Sequence, residues 1–106
     1  MLREAIWHRL ALEDLTDAFL YIGADSPAAA ERLLDRVEEA VELLRGNPEA
    51  GRRCELRSAR AAEIRSWVVR GFEAYLVFYR PAGQHLEIVR FLHGARDVGS
   101  LLADMS

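Results

Sequence analysis

The sequence of 106 residues contains no lysine, only one cysteine and no long apolar run. Because the lone Cys54 cannot form an intramolecular disulfide and no secretory signal precedes the first polar residues, we expect a reducing, cytoplasmic setting. No segment approaches the roughly 18 consecutive apolar residues of a membrane helix, so we expect a soluble protein. All fourteen basic residues are arginine, and each therefore stays charged and can bind an anion through two nitrogens.

The charges are divided unevenly between the two halves of the chain. Residues 1–50 contain five arginines and eleven acidic residues, whereas residues 51–106 contain nine arginines and six acidic residues. The halves therefore carry −6 and +3, within a net charge of −3. A basic half favours an anionic partner, either nucleic acid or an acidic protein segment, although +3 is far from a polybasic arm.

The N-terminal half predicts a strand followed by two helices. Residues 2–10 are long enough for a strand at an edge of a sheet. From Ala11 to Gly23, apolar residues recur at every third or fourth position, as in an amphipathic helix. Ser26 and Pro27 are typical of a helix N-cap and of the first helical position, so we expect a second helix to begin there.

The second helix should end at residues 45–48 and form an antiparallel hairpin with the first. Its apolar stripe, which we expect to face the sheet, contains Ala30, Leu33, Leu34, Val37, Val41 and Leu44. Truncating Leu34 to alanine should then cost roughly 2–5 kcal/mol of stability, as for other core leucines.

The C-terminal half predicts a small, mainly antiparallel sheet. Residues 47–63 have little periodicity and are interpreted as an exposed connection. Alternating and continuous apolar residues predict strands over 64–70, 72–80 and 86–93, with a turn at 81–84. The last three segments therefore form a meander that the helical hairpin can cover.

Taken in order, these elements indicate an α+β fold in a single domain over 1–106. The N-terminal strand joins the sheet, the helical hairpin packs on one face, and residues 97–105 fit a short last helix. The second face of the sheet is apolar and has no evident cover. We expect it to bind a partner, with Trp67 and nearby arginines as contacts.

Several short motifs follow one another along almost the whole chain. They are Leu12 to Leu15, Tyr21-Ile22, Ser26-Pro27 with Ala30, Leu44 before Asn47-Pro48 and Gly51-Arg52, the strand with Arg65, Phe78 to Arg80, and Ile88 to Asp97. In this order and spacing they resemble the RelE/ParE superfamily of bacterial type II toxin–antitoxin modules, and the ParE branch in particular. The resemblance implies a RelE/ParE-like fold, no cofactor, and a ParD-like ribbon-helix-helix antitoxin that wraps over the toxin in a hetero-oligomer.

The resemblance also implies two alternative activities. ParE-like members poison DNA gyrase and block replication, whereas RelE-like members cleave messenger RNA in the ribosomal A site, and the fold alone does not choose between them. We favour gyrase binding without bond chemistry. The nuclease branch commonly carries a tyrosine near the end of the last strand, where this sequence has Gly94 and Ala95 after His93, and the sequence also lacks lysine.

The alternative of a metal-independent endoribonuclease requires a base, an acid and clustered cations. The residues that could supply them are Glu63, Arg65, Arg70, Arg90 and His93. Structural roles compete, because His93 can bond to a neighbouring carbonyl and the strand arginines can pair with acids on adjacent strands. A third alternative is a degenerate homologue that binds its antitoxin and is not toxic.

On the binding hypothesis, the groove between the helical hairpin and the sheet accepts an amphipathic, acidic antitoxin tail, with charged contacts from Arg65, Arg70 and Arg90. The full set of candidate contacts for antitoxin or target is Arg65, Trp67, Arg70, Arg80, Arg90, His93 and Arg96. Cys54 has no histidine or acid at metal-ligand spacing, so we expect no metal site.

Overall fold

A computed structural model describes residues 2–54 and 63–94. Its elements are β1 (Glu4–Trp7), α1 (Arg9–Asp25), α2 (Pro27–Gly46), β2 (Arg52–Arg53), β3 (Arg65–Val69), β4 (Phe72–Ala82) and β5 (His85–His93). The strands form one sheet in the order β1-β5-β4-β3-β2, in which β1 runs parallel to β5 and the other neighbours are antiparallel. The predicted α+β fold, with a helical hairpin on a mainly antiparallel sheet, is confirmed.

The helical hairpin is tighter than the sequence suggested. Ser26 caps α2 as predicted, because its Oγ accepts a hydrogen bond from the Ala29 amide at 3.2 Å, and Pro27 occupies the first turn. However, α1 begins at Arg9 and continues to Asp25, so Ser26 is the whole link between the helices. Among the described residues, neither helix is long and apolar enough to cross a membrane.

The main core lies between the hairpin and one face of the sheet. On α1 the buried positions are Ala11 and Ala18, while Leu12, one of the recurring apolar residues on which the helix was predicted, is exposed. Small side chains allow α1 to lie close to the sheet. The buried residues that meet there are Ala11, Ala18, Leu33, Val37, Val41, Leu44, Val69, Tyr75, Val77, Tyr79, Leu86, Ile88 and Phe91.

The interpretation of Leu34 as a core residue was wrong. Leu33 is 0% exposed, whereas Leu34 is 40% exposed. Successive residues of a helix differ by about 100° in direction, so the neighbour of a central residue lies at the edge of the buried face. The hydrophobic period identified the correct face but included one residue beyond its margin.

The second face of the sheet is not open at its apolar centre, contrary to the expectation from sequence. Ile64, Phe78, Val89 and Leu92 form a second buried cluster, and each of them is only 2–6% exposed. A partner that binds the folded chain therefore does not find these side chains as a free apolar surface. The predicted helix over 97–105 lies outside the described residues.

The strands depart from their predicted limits at several points. β1 is shorter than the 2–10 segment, and the predicted connection over 47–63 contains β2, which pairs with β3. β4 continues through Pro81 to Ala82, so the turn that follows contains only two residues. Gly83 has a φ of +60° in that turn, a conformation that glycine adopts without a Cβ penalty.

Leu33→Ala and Leu34→Ala form a matched pair that tests the position of the core. Truncation of Leu33 should lower the free energy of unfolding by about 2–5 kcal/mol, because it leaves a cavity, and truncation of Leu34 should lower it by less than about 1 kcal/mol. Urea unfolding of both variants measures the difference. Equal losses would contradict the described packing of α2.

Candidate functional site

A groove runs between the second half of α1, the start of β4 and the end of β5. It consists of two adjoining cavities of about 230 and 500 Å³, which share Tyr21, Tyr75 and His93 in their walls. We call it the aromatic groove. Its lining residues are Asp14, Asp17, Ala18, Tyr21, Ile22, Phe72, Glu73, Ala74, Tyr75, Phe91, Leu92 and His93.

The floor of the aromatic groove is a set of stacked rings. Tyr75 lies parallel to Phe91, with centroids 5.3 Å apart and an interplanar angle of 5°. His93 meets Tyr75 edge-on at 5.1 Å and 82°. These are the offset and T-shaped arrangements that aromatic quadrupoles prefer, and they fix the ring positions before any partner arrives.

The rim of the groove exposes a large aromatic side chain. Tyr21 is 72% exposed, and Ile22 and Phe72 are partly buried beside it. An exposed tyrosine beside apolar walls has the composition of an anchor in protein interfaces. The groove therefore presents apolar surface that a partner can cover.

Arg90 does not reach the groove as a free cation. Its Nε and Nη2 donate to the two oxygens of Asp14 at 2.6 and 2.9 Å, and the side chains are 12% and 14% exposed. The hydrogen bond to Asp14 raises the pKa of Arg90 further. Asp14 also accepts a hydrogen bond from the Phe91 amide at 3.1 Å. Phe91 lies on β5 beyond Ile88, where the pairing of β5 with β1 ends. The carboxylate thus replaces strand pairing where β1 stops.

Arg80 belongs to a second internal network, on β4 and β5. Its Nε and Nη2 donate to Glu87 Oε1 at 3.2 and 3.0 Å, and His8 Nε2 lies 2.8 Å from the same oxygen. Burial raises the pKa of Glu87, but the hydrogen bonds from His8 and Arg80 outweigh it, so the net pKa lies below the ordinary value. The network ties the end of β1 to the sheet.

Arg65 holds the turn that precedes β2. Its Nη1 donates to the carbonyl oxygens of Glu49 and Gly51 at 3.2 and 2.9 Å. The buried Tyr79 hydroxyl donates to the Pro48 carbonyl at 2.9 Å and accepts the Gly51 amide at 2.7 Å, and burial raises the pKa of Tyr79. A Cβ on Gly51 would lie within 2.8 Å of the tyrosine ring, so this position requires glycine.

The remaining predicted residues are dispersed. Arg70 is exposed, with 74% of its side chain accessible, and donates to Glu39 at 3.2 Å. Trp67 is partly buried against the main core, and Glu63 is exposed next to β3. Arg96 lies outside the described residues.

The structure does not bring the predicted nuclease residues together. Arg65 lies opposite Tyr79, whereas His93 lies opposite Tyr75 on the other side of β4. Four residues of a strand span about 13 Å, so Arg65, and Glu63 two residues before it, are far from His93. Within the described part of the chain, no group of three or more histidine, cysteine or acidic residues is placed to hold a metal ion.

Most residues of the aromatic groove were not among the site residues predicted from the sequence. His93 was among the candidates, but Asp17, Tyr21 and Tyr75 were not. Tyr75 lies in a continuous apolar run and Tyr21 in an amphipathic helix, where aromatic residues are usually core. The sequence signal that could have identified Tyr21 was the Tyr21-Ile22 pair, one of the motifs on which the resemblance rests.

The Asp14 and Arg90 pair gives a stability test with an internal control. Asp14→Ala should lower the free energy of unfolding by about 3 kcal/mol, because it leaves Arg90 nearly buried without a counter-charge. Asp14→Ala/Arg90→Met should recover most of this loss and retain a deficit of about 1 kcal/mol for the unpaired Phe91 amide. Urea unfolding measures both. A double variant no more stable than the single variant would contradict this role.

The lowered pKa of Glu87 predicts a specific pH dependence. Ionised Glu87 should stabilise the fold by about 1 kcal/mol at neutral pH relative to Glu87→Gln. This stabilisation is complete above about pH 4.3, the pKa of a glutamate in the unfolded chain. It disappears as the pH falls through the pKa of Glu87 in the folded protein, which is lower. Urea unfolding of both proteins from pH 7 to pH 3 measures it, with exposed Glu31→Gln as control. A constant difference across this range would contradict the network.

Comparison with known proteins gives matches over most of the chain. A family model described as the ParE toxin of the type II toxin–antitoxin system parDE matches residues 5–98. A protein of Caulobacter vibrioides named Toxin RelE2 is 37% identical over 93 residues, which cover 88% of this chain and 97% of that protein. A chain in a structure titled as the chromosomal ParDE TA system from P. aeruginosa matches with a TM-score of 0.69 and 22% identity, over 87% of this chain and 96% of that chain. The chain therefore belongs to the ParE toxin family of type II toxin–antitoxin systems.

Proposed function

We propose that this ParE-family toxin inhibits growth by binding and poisoning DNA gyrase, and that a cognate ParD-like antitoxin neutralises it in a hetero-oligomeric complex. The proposal places both events in the cytoplasm. It assigns the toxin a binding activity and no bond chemistry. Two findings support it: the family to which the chain belongs, and the hydrogen bonds that the strand arginines make within the fold.

The observation that carries the proposal is the use of these arginines within the fold. Arg65 donates to turn carbonyls, Arg80 to Glu87, and Arg90 to Asp14. A nuclease needs cations that are free to stabilise phosphate charge in the transition state. Cations that already satisfy partners in the fold are poor candidates for that task, whereas a preformed aromatic groove suits recognition of another protein.

We propose the aromatic groove as the place where part of the antitoxin tail binds. Tyr21 and Phe72 supply apolar surface on its rim, and the stacked Tyr75 supplies a rigid floor. An amphipathic segment gains affinity by inserting side chains into such a preformed groove. Arg70, outside the groove, remains available for an acidic residue of the same tail, since its pair with Glu39 is solvent-exposed and weak.

The second candidate is a RelE-like, ribosome-dependent endoribonuclease. It is favoured by the name of the relative Toxin RelE2 and by the position of His93 in the groove. The separation of His93 from Arg65 weighs against it.

Purified toxin should inhibit the supercoiling activity of gyrase and should trap cleaved DNA, because the proposal assigns gyrase as the bound target. Addition of the cognate antitoxin should restore supercoiling. A plasmid supercoiling assay measures both effects. Unchanged supercoiling together with codon-specific cleavage of ribosome-bound message would overturn the proposal.

His93→Gln separates the two candidates in cells. If the toxin acts by binding gyrase without proton transfer, this variant should still inhibit growth when expressed without the antitoxin. Loss of toxicity in a folded His93→Gln protein, with loss of message cleavage, would favour the nuclease. Growth unaffected by the wild-type toxin would instead identify a degenerate homologue.

A further inference from the structure

We infer that the aromatic groove receives an arginine side chain from an otherwise apolar segment of the antitoxin tail. This inference rests on the proposed antitoxin binding at the groove and goes beyond it by assigning the chemistry of the inserted residue. The inserted side chain has the opposite charge to the one expected from the sequence, which predicted an acidic antitoxin tail in contact with arginines of the toxin.

The charge of the groove motivates the inference. Its walls include Asp14, Asp17 and Glu73, while no arginine is among its lining residues in the described part of the chain. Asp14 is neutralised by Arg90, so Asp17 and Glu73 remain as the negative charges. An acidic segment, or a nucleic acid phosphate, would meet repulsion at this rim.

The two remaining carboxylates differ in their present contacts. Glu73 Oε2 accepts the amide of Gly71 at 2.6 Å and therefore keeps its other oxygen for a further donor. Asp17 makes no hydrogen bond or ion pair with other residues in the described ranges. It is exposed on α1 one turn before Tyr21, so its carboxylate and the tyrosine ring lie on the same side of the helix.

The pairing of carboxylate and aromatic ring favours arginine over lysine. A planar guanidinium can stack on the exposed face of Tyr21 and donate two parallel hydrogen bonds to Asp17 at the same time. Lysine offers a point charge without the planar fork. The neighbouring Ile22 and Phe72 are suited to apolar residues that flank the arginine on the tail.

The test uses the full-length toxin and the full-length antitoxin encoded beside it. Asp17→Asn preserves shape and removes the charge, and it should weaken antitoxin binding about tenfold at low salt. Asp35→Asn removes a charge from the exposed side of α2 and serves as the matched control, with affinity within about twofold of wild type. Isothermal titration calorimetry at two salt concentrations measures both.

A double-mutant cycle identifies the partner residue. One arginine of the antitoxin tail, when changed to glutamine, should weaken binding by a similar factor, and the Asp17→Asn toxin should then show little additional loss. Glu73→Gln, which keeps the acceptor for Gly71, gives a second charge-removing variant. It should also weaken binding, so the inference remains testable if Asp17→Asn proves unstable.

The possible results are distinguishable. Failure of the antitoxin to bind wild-type toxin would overturn the proposed function. Normal binding that neither Asp17→Asn nor Glu73→Gln weakens would overturn this inference and leave the proposed function intact. Self-association of the free toxin that disappears in Asp17→Asn would assign the groove to a second copy of this chain and would also overturn the inference.

Discussion

The carboxylate of Asp14 joins α1 to β5 at the point where the parallel strand β1 ends. It binds the Arg90 side chain through both oxygens and also accepts the Phe91 amide. A strand edge that loses its neighbour must satisfy its backbone groups elsewhere, and here one side chain does so. This contact connects α1 to β5 beside the aromatic groove, in addition to the buried apolar residues that α1 packs against the sheet.

The same contact determines which charges are available for function. It removes Arg90 from the set of free cations and neutralises one of the three acids in the groove. What remains is an aromatic floor with Asp17 and Glu73 near its rim. Such a surface suits recognition of a protein segment, and among the described lining residues no arginine is placed to stabilise phosphate charge.

Local patterns predicted the elements of the fold but not the contacts that create the site. The 3.6-residue period and the Ser26 cap identified the helical hairpin, alternation identified β3 and β5, and a continuous apolar run identified β4. The pairing of Asp14 with Arg90 joins residues 76 positions apart, and no local period encodes such a partner. The two-residue β2 is likewise too short to show alternation, and its arginines resemble those of a solvated loop.

We expect the toxin to bind its antitoxin through the aromatic groove. The chain contains three tyrosines, of which Tyr21 and Tyr75 line the groove and Tyr79 is buried at the far end of β4. Fluorine NMR of toxin labelled with 3-fluorotyrosine follows all three at once. Stoichiometric antitoxin should shift the Tyr21 resonance strongly and leave the Tyr79 resonance in place. An unchanged Tyr21 resonance in a fully formed complex would contradict it.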